Sequence, residues 1–290
     1  MRMPAAEVEV TADLVTALIR QQHPDLLDEL TLVANGWDNV IYRLGPSRTV
    51  RLPRRQLAVE LIIKEQRWLP ELAPRLPLAI PVPEREGRAG PGFDWPWSIG
   101  PWFDGHPLSG IPVRERTRYA ADLAAFFAAL HRPAPPDAPV NPVRGIPLAG
   151  RSELAAEHFR ILDPPARLRT LWDELVTTPG LTGPPAWVHG DPHPANLLIK
   201  DGRLTAVIDF GDLTGGDPAT DLAVGWLAFD FAGRREFHDH YVRITGDDAD
   251  LWRRARGWAL SLGLSLLANS DDNPVLAAVG RHAVDQVIQE

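Results

Sequence analysis

Residues 187–211 read WVHGDPHPANLLIKDGRLTAVIDFG, and the reading of this stretch decides the fold. His189, Asp191, His193, Asn196 and Asp209 are set among Trp187, Val188, Leu197, Leu198, Ile199, Val207 and Ile208. Polar groups in such apolar company are costly to bury unless something satisfies them. The Asp201-Gly202 pair between LLIK and LTAVID is a strong turn signal, so the segment folds as a hairpin that delivers Asp209.

Three chemistries compete for these residues. Turn capping explains any one of them, but not two Asp, one Asn and two His together. A metallohydrolase would draw on His189, Asp191 and His193, whose period-two spacing could face Zn2+ or Mn2+ from a strand. Pro192 and Pro194 bracket His193, however, and argue for an irregular loop. His238-Asp239-His240, the other His-bearing cluster, lies in an arginine-rich helical stretch and reads as a solvated face. Phosphoryl transfer needs one carboxylate beside the acceptor hydroxyl and two oxygen ligands that hold Mg2+ on nucleotide phosphates. Asp191, Asn196 five residues later and Asp209 after the hairpin supply all three. A kinase catalytic loop has the form H-R-D-x-x-x-x-N with Asp-Phe-Gly after it; here stand His189-Gly190-Asp191, Asn196 and Asp209-Phe210-Gly211.

On these motifs the chain resembles the aminoglycoside phosphotransferase family, the small-molecule branch of the protein-kinase-like fold that includes macrolide phosphotransferases and choline-type kinases. The resemblance runs from about residue 30 to the C-terminal helices, and its specific motifs lie in 187–223: HGDxxxxN, ID, and Gly216-Asp217-Pro218-Ala219-Thr220-Asp221-Leu222-Ala223. It implies an α+β, bilobal protein-kinase-like fold, with a small antiparallel-sheet N-lobe carrying one helix and a larger, mainly helical C-lobe. It also implies Asp191 as catalytic base and Asn196 and Asp209 as magnesium ligands. His193 is assigned to contact with the transferring phosphate, loop packing being its alternative. His189, Asp217 and Asp221 are assigned structural roles, the two acids bracing the catalytic loop. Asp217 followed by Pro218 is equally an ordinary helix cap.

The remaining chain fits this division. Thr11 to His23 has helical spacing from a Thr11 cap to Pro24, and 30–53 reads as three short strands with turns at Asn35-Gly36 and Gly45-Pro46. A helix is expected over 56–72, and strand pieces around Ile80–Glu84 and Trp95–Phe103. Residues 114–131 read as helix, 132–150 as a proline-rich loop, 152–162 and 165–177 as helices, and nearly everything after Asp217 as helix. The expected domains are 1–100, a nucleotide-binding lobe, and 101–290, a catalytic and acceptor-binding lobe.

A kinase small lobe needs a cation on its third strand and a helix glutamate to hold it. In Thr49-Val50-Arg51-Leu52, Val50 and Leu52 face one side, Thr49 and Arg51 the other. Arg51 takes the cation's position as an arginine in place of lysine, with Arg43 as competitor. Glu65 is its expected partner and Glu60 the alternative. No GxGxxG is present. Ile99 and Trp102, in the stretch Ser98–Phe103, are assigned to the nucleotide, ATP or alternatively GTP.

The chain of 290 residues has a net charge of −8, with nearly all the acid excess beyond residue 130, opposite in sign to a nucleic-acid binder. It has no cysteine, hence no disulfide or thiolate metal site. The N-terminus lacks an apolar signal region and no apolar run spans a membrane, so a cytoplasmic protein is expected. Acceptor candidates among the acids are Asp212, Asp230, Glu236, Asp239, Asp271 and Asp272, of which Asp230, in the aromatic segment GWLAFDFAG, is selected as substrate contact. The expected activity is ATP/Mg-dependent O-phosphorylation of an aminoglycoside- or macrolide-like antibiotic, conferring resistance. The alternatives are a sugar or amino-alcohol kinase and a non-catalytic kinase-like nucleotide-binding protein.

Overall fold

The computed structural model describes residues 5–246 and 248–289. The chain divides into two compact units. The smaller comprises residues up to 74 together with 79–104; the larger comprises 75–78 and everything from 105 onward.

In the smaller unit, helix α1 (Ala12–Gln22) begins at Thr11, whose hydroxyl accepts the Leu14 N–H at 3.2 Å. Such a cap is worth about 1 kcal/mol. Strands β1 (Leu30–Asn35), β2 (Asn39–Leu44), β3 (Arg48–Pro53), β4 (Arg85–Gly87) and β5 (Trp97–Pro101) form one antiparallel sheet in the order β1-β2-β3-β5-β4. Period-two alternation sends Val40, Tyr42, Leu44, Val50 and Leu52 to one face, where they pack on Val15, Leu18 and Ile19 of α1 with Phe93 and Trp97. Arg51 therefore points to the opposite face, against helix α2 (Val59–Leu72).

Two local expectations shift. Ile80–Glu84 is not a strand; pairing begins at Arg85, because a segment with Pro81 and Pro83 has too few N–H groups to sustain a ladder. Residues 56–58 form a 3-10 turn ahead of α2, whose last turn contains Pro70.

In the larger unit, β6 (His106–Pro107) leads into a 3-10 segment, Val113–Tyr119, and only then α3 (Ala120–Leu130), so the helix expected over 114–131 is α-helical in its second half alone. Helices α4 (Ser152–Leu162) and α5 (Ala166–Leu175) follow the proline-rich loop. Strand β7 (Ala186–Val188) precedes the loop 189–196; β8 (Leu197–Lys200) and β9 (Arg203–Val207) form the hairpin, and β10 (Thr214–Gly216) returns to pair with β7. The hairpin turn places Asp201 at φ 51° and Gly202 at φ 73°, as a two-residue turn requires. Helices α6 (Ala219–Leu222), α7 (Val224–Ala228), α8 (Phe231–Thr245), α9 (Ala249–Asn269) and α10 (Pro274–Ile288) complete the unit, with α8 against α3 and α10 against α9. Among the described residues no helix is long and apolar enough to cross a membrane.

Candidate active site

The loop from His189 to Asn196 is held through the N–H groups of His189, Gly190, Asp191, His193 and Asn196. Gly190 lies at φ 92°, and a Cβ there would come within 2.5 Å of the Asp212 carbonyl oxygen, so the glycine between His189 and Asp191 is a steric requirement. The His189 ring is fully buried: its Nε2 donates to the Ile208 carbonyl at 3.0 Å, and its Nδ1 accepts the Asp191 N–H at 3.2 Å. Both ring nitrogens are thus engaged, which removes His189 from any metal site.

Asp221 in α6, fully buried, anchors the same loop. Its two carboxylate oxygens accept the N–H groups of His189 at 2.7 Å and Gly190 at 2.9 Å, and His131 Nε2 lies 3.1 Å away. Tyr241, whose hydroxyl is 2.9 Å from His131 Nδ1, is pushed up in pKa by burial and then by the charge of Asp221. Asp217 does something else. One of its oxygens accepts the Ala219 N–H at 3.0 Å, capping α6, and the other accepts from Arg254 Nε at 2.7 Å in a buried ion pair.

Asp191 presents a carboxylate about one-third exposed. Burial raises its pKa, but His193, Arg144 and His189 outweigh that and hold it below the ordinary range. His193 Nε2 stands 3.3 Å from an Asp191 oxygen; burial lowers its pKa, and the carboxylates of Asp191 and Asp209 raise it to a net upward shift. The Asn196 amide nitrogen donates to the Asp191 carbonyl at 3.1 Å, and the Ile208 N–H donates to the Asn196 carbonyl at 2.9 Å. Asn196 is thereby placed beside the end of β9, next to Asp209. Asp209 has an exposed side chain on a backbone at φ 66°, ψ 70°, a left-handed conformation uncommon outside glycine.

Asn196 and Asp209 fit a hard divalent cation in donor chemistry. The amide nitrogen is spent on Asp191, which leaves the amide oxygen with acceptor capacity, and Asp209 supplies an exposed carboxylate. Among the described residues no three His, Asp or Glu side chains are grouped as a metal cage, so nucleotide phosphates and water would complete the shell.

Arg144 and Asp212 also belong to this cluster. The Arg144 guanidinium lies 3.8 Å from Asp191 and 3.4 Å from Asp212, and Asn141 donates to Asp212 at 2.8 Å. Arg144 comes from the proline-rich loop, which β10 and α6 fix: Thr214 Oγ1 accepts the Asn141 N–H, Gly145 accepts the Asp217 N–H at 2.8 Å, and a Cβ on Gly216 would come within 2.4 Å of the Gly145 oxygen. The Arg144-Gly145 pair, with Gly145 at φ 65°, was the available signal, but it does not stand out in a sequence rich in arginine and glycine.

In the smaller unit, Arg51 Nη1 donates to both Glu65 oxygens at 2.7 and 2.9 Å. Asn39, with its amide oxygen turned to the guanidinium, accepts from Nη2 and Nε at 3.0 and 3.1 Å. Glu60 is exposed, and Arg43 instead stacks on Trp102 at 4.6 Å and donates to the Pro46 carbonyl. Trp102 is half-buried, its indole N–H donating to Asp104 at 3.0 Å. Ile99 is fully buried, and its carbonyl accepts the Glu84 N–H at 2.7 Å, so side chain and carbonyl both serve the sheet. Asp230 caps α8, accepting the Gly233 N–H at 3.0 Å.

A sequence profile described as the phosphotransferase enzyme family matches residues 29–258. No curated protein sequence matches the chain. Among solved structures, the GDP and kanamycin complex of APH(2")-IIIa is 20% identical, with 95% of this chain and 98% of that one covered at a TM-score of 0.68. The apoenzyme of macrolide 2'-phosphotransferase MphH from Brachybacterium faecium is 23% identical, with 94% and 97% covered at 0.65. The streptomycin–ATP ternary complex of APH(2")-IIa is 19% identical, with 98% and 97% covered at 0.59. At these identities the likeness is one of fold: an antiparallel-sheet N-lobe and a helical C-lobe.

Proposed function

The chain belongs to the phosphotransferase enzyme family, and from that premise we propose that it transfers the γ-phosphate of ATP to a hydroxyl group of a small molecule, with Asp191 receiving the hydroxyl. The observation that carries this reading is the joint fixation of Asp191, Asn196 and Asp209: one amide links Asn196 to the Asp191 carbonyl, and one backbone bond holds Asn196 beside the end of β9. The solved structures of similar fold contain GDP in one case and ATP in another, which keeps GTP as the alternative donor.

In this mechanism the acceptor oxygen bonds to the γ-phosphorus as the bond to the β–γ bridging oxygen breaks, and ADP leaves. The hydroxyl proton passes to Asp191. A carboxylate with a depressed pKa is a weak base, so Asp191 acts mainly by orienting the hydroxyl until the proton is lost late in a loose transition state. Mg2+ held by Asn196 and Asp209 would neutralise phosphate charge. His193 keeps Asp191 ionised and is the candidate contact for the moving phosphoryl oxygens. Asp221 and His189 fix the loop, and Asp217 braces α6 through Arg254.

We assign the nucleotide phosphates to Arg51, whose fork Glu65 and Asn39 orient, and give Trp102 the neighbouring part of the nucleotide, with Ile99, its side chain and carbonyl committed to the sheet, supporting that stretch from within. The acceptor classes that fit this reading are aminoglycosides and macrolides, with antibiotic modification as the role, and in competition with them sugars and amino alcohols; Asp230 contributes through the cap it forms on α8. We place the enzyme in the cytoplasm. The test is incubation with Mg-ATP and a panel of aminoglycosides, macrolides, sugars and amino alcohols, read by mass spectrometry. One added phosphate, absent with Asp191→Ala, is expected; nucleotide consumption equal in both proteins would refute the role of Asp191.

A further inference from the structure

Resting on the phosphotransfer reading above, we propose that Arg144 grips an oxygen substituent of the acceptor beside the reacting hydroxyl, so that the enzyme takes acceptors bearing hydroxyl or carboxylate oxygen there and rejects those bearing an ammonium group.

Arg144 is rigidly placed and under-used. Its Nε is buried without an aligned acceptor, 3.4 Å from Asp212, and its Nη2 is 3.8 Å from Asp191, beyond hydrogen-bond length. The two carboxylates hold the guanidinium by charge while leaving its fork of N–H groups to an incoming oxygen. With Nη2 only 3.8 Å from Asp191, a molecule that offers its hydroxyl on the Arg144 side of the carboxylate brings a neighbouring substituent within reach of that fork. An arginine cannot shed its charge to admit a cation. A second cation stands behind it. Arg151 is lowered to about 10, first by burial and then by Arg144, and so stays charged at neutral pH.

Four of the six acids that could select an ammonium group are engaged by other partners. Asp212 faces Asn141 and Arg144, Asp230 caps α8, Glu236 pairs with His240, and Asp239 lies beside Arg235 and His238. Asp271 and Asp272 are exposed in the turn before α10. A cavity of about 570 Å³ among α5, α8 and α9 has a cationic wall as well, with Arg234, Arg235, Arg253 and Arg256 against Glu174 and Asp239.

The test is calorimetric binding of kanamycin, gluconate and sorbitol to the full chain with Mg-ADP present, in the wild type, Arg144→Gln and Arg144→Lys. In the wild type, gluconate or sorbitol should bind more tightly than kanamycin; gluconate alone would indicate an anionic group, both a neutral oxygen. Arg144→Gln should weaken the preferred oxygen compound at least about tenfold and tighten kanamycin. Arg144→Lys should keep the rejection of kanamycin and lose the grip. Wild-type preference for kanamycin, no binding of either oxygen compound, or an order unchanged in Arg144→Gln would overturn the proposal. Matching melting curves separate lost grip from lost fold. Absence of Asp191-dependent ADP formation in the wild type would instead count against the phosphotransfer reading itself.

Discussion

The catalytic loop and the Arg51 site are built on different principles. In the loop, side chains are held by backbone: Asp221 takes two N–H groups, His189 bridges an N–H and a carbonyl, and Asn196 reaches a carbonyl. In the smaller unit, side chains hold one another, Arg51 lying between Glu65 and Asn39. Backbone-held geometry fixes residue type tightly, because a backbone N–H or carbonyl cannot change with the sequence to suit a different side chain. Side-chain-held geometry tolerates an arginine in a position that a lysine fills in protein kinases, provided the carboxylate partner stays.

The largest effect should come from the loop's one reactive group. Asp191→Ala should lower phosphate transfer by about a thousandfold, in the range for loss of a positioned general base, measured as product formed at saturating nucleotide. Next comes the loop's anchor. Asp221→Ala strands two backbone N–H groups and His131 in a fully buried place, and a loss of about 3–5 kcal/mol in urea unfolding is expected. An unchanged urea midpoint would mean that the backbone holds the loop without Asp221, and the contrast between the two sites would weaken.

In the smaller unit the expected effect is gentler. Glu65→Gln keeps the shape but loosens the fork, and should raise the nucleotide KM about tenfold, while Glu60→Gln, on an exposed side chain, should leave it unchanged. Equal effects from the two variants would show that Arg51 needs no partner.

The smallest effect is pH-dependent. His193 is raised above its ordinary 6.5, so its contact with Asp191 stabilises fully below 6.5 and is lost as pH rises through the shifted value. Asp191 is lowered from 3.8, so its part is present above 3.8 and lost as pH falls through the shifted value. The difference in urea midpoint between wild type and His193→Gln should therefore be greatest between 3.8 and 6.5 and shrink in alkali. A difference that grows in alkali would mean that His193 is held neutral.

The contrast also explains what could be read in advance. Asp191, Asn196 and Asp209 were legible because their spacing and the hairpin turn at Asp201-Gly202 are local. Alternation in 49–52 put Arg51 on the face away from Val50 and Leu52, where the structure has Glu65 of α2, whereas the sheet order, which joins strands distant in sequence, came from the structure alone. Arg144 and His131 were not legible: each reaches the site through a contact across more than forty residues, and neither belongs to a motif with chemistry of its own, His131 merely closing a helical pattern. The strand expected at Ile80–Glu84 misread apolar residues as pairing residues, when Pro81 and Pro83 remove the donors. Asp230 stood out for its aromatic setting, yet the structure gives its carboxylate a helix to cap, a role that any Asp before a helix can take.

The most direct test of the central claim compares wild type and Asp191→Asn by 31P NMR with Mg-ATP and an acceptor from the panel that carries its free hydroxyl, alongside nucleotide binding by calorimetry. The account predicts equal nucleotide affinity, ADP and phospho-acceptor from the wild type, and neither from the variant. Turnover by Asp191→Asn at the wild-type rate, or a wild type that does not bind nucleotide, would contradict it.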